Sequence, residues 1–122
     1  MSGITLLSVI GNLKIAYRLT PYQGKKCDEF FSVIHPGDFI YPGHLKSKVC
    51  IDIKTAYLFM EDLKKAGYVK NIYEVYCMEC NKSKGIFLES LTDFDGNFTC
   101  DFCNKSLSVS KDIIVLYKVL HI

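Results

Sequence analysis

Cysteines in the second half of the chain come as two nearly identical hexapeptides. Cys77-Met78-Glu79-Cys80-Asn81-Lys82 is the first, and Cys100-Asp101-Phe102-Cys103-Asn104-Lys105 is the second. Each is a Cys-x-x-Cys pair followed by Asn-Lys and then a serine, Ser83 or Ser106. Asn81 through Thr99 separate the pairs. Four thiolates grouped two and two meet the needs of a tetrahedral Zn²⁺ ion. Two cysteines three apart on a tight turn can point both sulfurs at one ion. Asparagine tolerates the left-handed backbone that such a turn requires after its second cysteine. The spacing therefore predicts one structural Zn²⁺ held by Cys77, Cys80, Cys100 and Cys103.

Other thiol chemistries fit less well. A thioredoxin-like redox pair stands alone near a βαβ pattern, which the sequence lacks. A disulfide framework would leave Cys27 and Cys50 outside any pattern. Iron–sulfur clusters also use four thiolates, typically at other spacings.

Composition narrows the remaining classes. Hydrophobic residues make up 49% of the 122 positions, enough for a core in one domain or two small ones. No run of eighteen apolar residues suggests a membrane span. The first ten residues lack the basic start and small-residue cleavage site of a signal peptide. With thiolate ligands, this makes a cytoplasmic protein the expectation. Fifteen basic and thirteen acidic residues give +2. Four thiolates and one Zn²⁺ would bring the loaded chain to zero. Non-specific nucleic-acid binders are usually far more basic, so such contact would need a local patch.

The elements that must position these groups follow from periodicity. Ile4–Ile10 and Leu13–Leu19 read as a hairpin turning at Gly11-Asn12, because Leu13, Ile15, Tyr17 and Leu19 alternate with Lys14, Ala16 and Arg18. The competing reading is a helix capped by Ser2, with Leu6, Leu7, Ile10 and Leu13 on one face. Thr20–Lys26 follows as a loop. Cys27–His35 reads as a short helix, and Pro42–Val49 as a second with Pro42 in its first turn. A third helix begins after Asp52, its N-cap, and stops at Gly67. Ile53, Ala56, Met60 and Leu63 form its apolar series, running on to Tyr68 and Val69. Beyond Gly67 the period becomes two. Gly85–Leu91 reads as a strand, 93–97 as a turn, and Ser106–Leu120 as the last strand or strands. The halves divide into 1–69 and 70–122, without a flexible linker.

Three short helices followed by strands resemble a winged helix. The resemblance rests on Gly37–Asp52 as the approach to a recognition helix and on Ile53–Val69 as that helix entering the wing. The region after Val69 resembles a zinc ribbon through its four cysteines. The fold class implied is α+β, a winged-helix-like half joined to a C-terminal zinc-ribbon β half. In DNA-binding proteins of this layout the exposed face of the third helix enters the major groove. That maps contact onto Lys54, Thr55, Tyr57 and Leu58, with Glu61, Asp62 and Lys65 nearby. Glu61 and Asp62 would oppose phosphate, and Leu58 would suit a protein partner better.

The remaining residues read more simply. His35, His44 and His121 lack ligand spacing and are expected in turns or at the terminus. Cys27 and Cys50 are expected to be buried small apolar groups. The lysines after each knuckle, Lys82 and Lys105, would offset thiolate charge. The expectation is a non-enzymatic binding module, nucleic-acid-associated, such as a small DNA-binding regulator. The alternative is a protein–protein adaptor or small subunit of a larger complex acting on nucleic acid. Its partner is then DNA or a protein, with no membrane involved.

Overall fold

The computed structural model describes residues 5–94 and 96–122. Four helices and four strands form a mixed α+β fold with an antiparallel sheet. The helices are α1 (Leu6–Ala16), α2 (Pro21–Ser32), α3 (Pro42–Val49) and α4 (Ile53–Lys65). The strands are β1 (Phe39–Ile40), β2 (Val69–Cys77), β3 (Lys82–Leu88) and β4 (Ile113–Val119). They lie in the order β1-β4-β2-β3. Two compact units result: residues up to Lys70 together with Tyr117–Ile122, and the segment Asn71–Leu116.

In the first unit the expected hairpin is instead helix α1. Thr5 caps it, its hydroxyl accepting the Ser8 N–H at 3.3 Å. Leu6 and Ile10, four apart, are buried, while Ile15 is 78% exposed. A strand through Leu13–Leu19 would have put Ile15 on the buried face with Leu13. The local alternation thus lost to the helical spacing of Leu6, Ile10 and Leu13. Ser2, the cap of the helical alternative, and Ile4 lie outside the described residues. Gly11 sits mid-helix, and a Cβ there would meet nothing within 4 Å. Gly11→Ala should therefore stabilise the unit by roughly 0.5–1 kcal/mol in thermal or denaturant unfolding. A hairpin turn at Gly11 would make the same change destabilising.

The stretch Thr20–Lys26 is also helical, as the start of α2. Thr20 and Gln23 form a reciprocal capping box, and Pro21 supplies the first turn. The helix ends at Ser32 rather than His35. Helix α3 spans Pro42–Val49 as expected, and packs on α2 and α4.

Helix α4 is the centre of this unit's core. Asp52 caps it by accepting the Thr55 N–H at 2.7 Å, and Gly67 follows it at φ 89°. Ala56, Phe59, Met60 and Leu63 are buried, whereas Ile53 is exposed. The expected series holds at Ala56, Met60 and Leu63, with Phe59 added to the buried face and Ile53 left outside. Burying Phe59, Met60 and Leu63 stabilises by about 1.5–3 kcal/mol each. Phe59 stacks on Phe31 at 5.8 Å, beside Leu45, Val49, Tyr117 and Val119 of the same core.

Two tyrosines tie down the acidic pair on α4. The Tyr17 hydroxyl donates to the Asp62 carboxylate, and the Tyr117 hydroxyl donates to Glu61 at 2.5 Å. Burial, then the Asp62 carboxylate, pushes the Tyr17 phenol up to about 12. The Tyr117 hydrogen bond, aided by Lys64 at 3.0 Å, holds Glu61 below the usual carboxylate range. No described helix is long and apolar enough to cross a membrane.

Candidate metal centre

In the second unit, strand pairing delivers the cysteines. Strand β2 ends on Cys77, turns through Met78–Cys80, and returns as β3. Cys77 faces Lys82 and Tyr76 faces Ser83 across this antiparallel pair. Asn81, between the turn and β3, has φ 55°. The second pair is built the same way on a smaller scale. Thr99 bridges Ser106, the Cys100 N–H donates to the Lys105 carbonyl at 2.9 Å, and the Asn104 N–H donates to the Cys100 carbonyl at 3.0 Å. Asn104 has φ 60°. Both asparagines thus occupy the left-handed conformation that the repeated motif called for.

The four sulfurs converge, all within 4.8 Å of one another. Cys77 and Cys103 lie 3.9 Å apart. A tetrahedral ion with metal–sulfur bonds near 2.3 Å sets its sulfurs about 3.8 Å apart, so this separation fits without rearrangement. All six cysteines of the chain are free thiols. Cys77 and Cys100 are buried, Cys80 is half-buried and Cys103 is exposed. N–H groups of Cys103 and Phe102 lower the Cys100 thiol to about 7. The Cys103 sulfur beside it, and then burial, push the Cys80 thiol up to about 12. Four thiols this close cannot all ionise unless a cation sits among them. The four cysteines could hold a metal ion, and they are the residues that the spacing singled out.

A small apolar core backs the site. Val75, Cys77, Cys100 and Leu107 are buried, with Ile86, Leu88, Phe98 and Ile113 packed around them. Phe94 meets Phe98 edge-on at 5.0 Å. The expected strand Gly85–Leu91 begins earlier and ends at Leu88, with a 3₁₀ turn over Leu91–Asp93. Asp95, in the expected 93–97 turn, lies outside the described residues.

One buried carboxylate connects the two knuckles, and periodicity gave no hint of it. Asp112 is 0% exposed. It accepts the Ser108 N–H at 2.8 Å, the Met78 N–H at 3.2 Å and the Lys105 ammonium at 3.2 Å. Met78 belongs to the first knuckle, and Lys105 follows the second. Burial alone would raise the Asp112 carboxyl. The Ser108 and Met78 N–H groups and the Lys105 ammonium outweigh this and hold it below the usual carboxylate range. The readable signal was an acid directly before the apolar run Ile113–Leu116, where a surface charge has no obvious place.

Other singled-out residues are dispersed. Lys82 lies over the Phe102 ring at 5.4 Å, and Lys105 is engaged by Asp112. His35 neighbours Asp38, His44 packs edge-on against Phe30, and His121 lies against Tyr68. Cys27 is buried, but Cys50 is exposed at the left-handed end of α3, against expectation. Cys50 ends α3 in the left-handed conformation, its N–H donating to the Lys46 carbonyl at 2.9 Å. On α4, Lys54, Tyr57 and Leu58 are exposed and Thr55 is half-buried. No protein-family model, curated protein or solved structure matches the chain.

Proposed function

We propose that this chain is a non-enzymatic nucleic-acid-binding module, a small DNA-binding regulator of the winged-helix type carrying a zinc ribbon. The zinc is structural, because four protein thiolates leave no position for water or substrate. The strand order supports the winged-helix reading: β1 lies between α2 and α3 in sequence, and β4 lies between β1 and β2 in the sheet. The ribbon segment then occupies the place of the wing.

Charge segregation carries the assignment of the contacting part. The helical unit, through Lys70 and with Tyr117–Ile122, holds eleven basic and six acidic residues, a net +5. Asn71–Leu116 holds four basic and seven acidic, a net −3 before any thiolate ionises. The near-neutral total hides a basic unit, whose net charge favours approach of a phosphate backbone. Glu61 and Asp62 accept hydrogen bonds from Tyr117 and Tyr17, and Glu61 keeps the negative charge that opposes phosphate on this helix. Lys54 and Tyr57 remain exposed on the same helix.

Fluorescence anisotropy with duplex DNA across a salt series tests the proposal. Binding should weaken steeply as salt rises from about 50 to 200 mM. Lys54→Ala should lower the magnitude of the log–log salt slope by about one. Tyr57→Ala should weaken binding, and Glu61→Gln should leave it equal or stronger. Absence of duplex binding at the low-salt end sinks the assignment. Ile53, Tyr57 and Leu58 keep 43%, 38% and 43% of their surfaces exposed, which favours the second reading, a protein-docking adaptor. In that case Leu58→Asp abolishes co-purification of a partner while metal content and fold persist.

A further inference from the structure

We propose that the cleft between α2, β1 and α3 binds a small organic anion with an aromatic body. The cleft encloses about 520 Å³, within the range of small-molecule sites. It lies wholly in the helical unit, and none of its lining belongs to α4 or to the four-cysteine centre. The inference therefore stands apart from both the zinc and the α4 contact.

Its apolar wall is aromatic and partly open. Phe30, Val33, Ile34 and Phe39 line it, and Val33 and Phe39 remain 70% and 39% exposed. The Phe30 ring is fixed edge-on by Phe31 at 5.0 Å and by His44 at 5.4 Å. A planar ring entering the cleft would meet a preformed aromatic wall, which favours offset or edge-to-face stacking.

The polar groups select the sign of the ligand. Both carboxylates at the cleft are already engaged. Glu29 pairs with Lys26 at 3.5 Å, and Asp38 accepts the His35 N–H at 2.8 Å. The cations are not all used. Among the described residues, the Lys48 ammonium has no carboxylate or hydrogen-bond partner, and the His44 ring makes only its contact with Phe30. The uncommitted cationic and donor groups at the cleft are therefore the Lys48 ammonium and an imidazole N–H. Together they suit one carboxylate, sulfonate or phosphate attached to a ring.

The probe is 2-naphthoate, with its neutral isostere 2-naphthamide, titrated into the full, metal-loaded chain and followed by amide NMR shifts. Saturable shifts confined to the neighbourhoods of Phe30, Val33, Phe39 and His44 are expected, with the amide bound about tenfold more weakly. Lys48→Gln should weaken 2-naphthoate about tenfold and bring it level with the amide. Val33→Trp, at an exposed position, should fill the cleft and remove both. The proposal is overturned if no shifts saturate, if the amide binds as well as the acid, or if Lys48→Gln changes nothing.

Discussion

Replacing Cys77 with serine is expected to abolish stoichiometric metal and unfold Asn71–Leu116. Elemental analysis of the parent chain, purified under reducing conditions, should give one zinc and no iron. Cys77 is buried, closes the β2–β3 turn and stands 3.9 Å from Cys103, so a hydroxyl there removes a ligand that nothing nearby replaces. The effect should be large because the unit's own core is small, built on Val75, Leu107 and the ligands themselves. Structural zinc sites in small domains supply roughly 10–16 kcal/mol of apparent binding energy, and that energy is folding energy. Cys50→Ser, at an exposed thiol, should leave both metal and melting temperature unchanged. Thiols must lose their protons to bind, so the metal's contribution is present at neutral pH and is lost as pH falls. A chain that keeps its amide protection over 71–116 in chelator and mild acid would show that metal does not hold this unit.

The second large effect belongs to Asp112. Asp112→Ala removes the shared acceptor of Ser108, Met78 and Lys105 at a wholly buried position. Leaving two N–H groups unanswered beside an unpaired, half-buried Lys105 ammonium costs about 1–3 kcal/mol. All four cysteines survive the change, so metal should still bind, but weaker by about 10–100-fold because the knuckles are no longer held together. Competition with a chromophoric chelator measures this directly. Asp112→Asn keeps the shape and loses the charge. Because the folded carboxyl is held below its ordinary value, the parent's advantage over the Asn variant is present above the ordinary carboxylate range. It shrinks as pH falls through the lowered value. An Asp112→Ala chain with parental stability and metal affinity would remove Asp112 from the site.

Much of the site was legible because its chemistry is local. Cys-x-x-Cys-Asn states both the ligands and the turn, and Asn81 and Asn104 adopt the conformation their type permits. Helices α3 and α4 were legible from Pro42, Asp52 and Gly67, which act within one turn of themselves. Two misreadings had different causes. Helix α1 was obscured because Leu13–Leu19 alternates over the few residues where both periods fit, and Gly11-Asn12 imitates a turn. Helix α2 was plainly signalled by Thr20, Pro21 and Gln23, a capping signature read as a loop. Asp112 offered only its place before an apolar run, and its role could not be read from that. Its partners at Met78, Lys105 and Ser108 are brought together only by the finished turns. The same holds for Tyr17 with Asp62 and Tyr117 with Glu61, 45 and 56 residues apart.

The helical unit is interrupted in sequence, since Tyr117–Ile122 rejoins it only after Asn71–Leu116. During synthesis, β4 leaves the ribosome after both knuckles have emerged. The four cysteines could therefore take up an ion before β1 has a strand to pair with. At about 5–20 residues per second, the nascent chain spends several seconds in that half-finished condition. Val119 and Tyr117 are then missing from a core that already holds Phe59 and Phe31. An unfolded excursion across Asn71–Leu116 would also charge β4 about 3 kcal/mol in closure entropy, growing with the logarithm of its length. An ion held by the four cysteines would shorten that excursion in advance. Scarcity of zinc would thus also slow or prevent maturation of the helical unit, which holds none of the four proposed ligands.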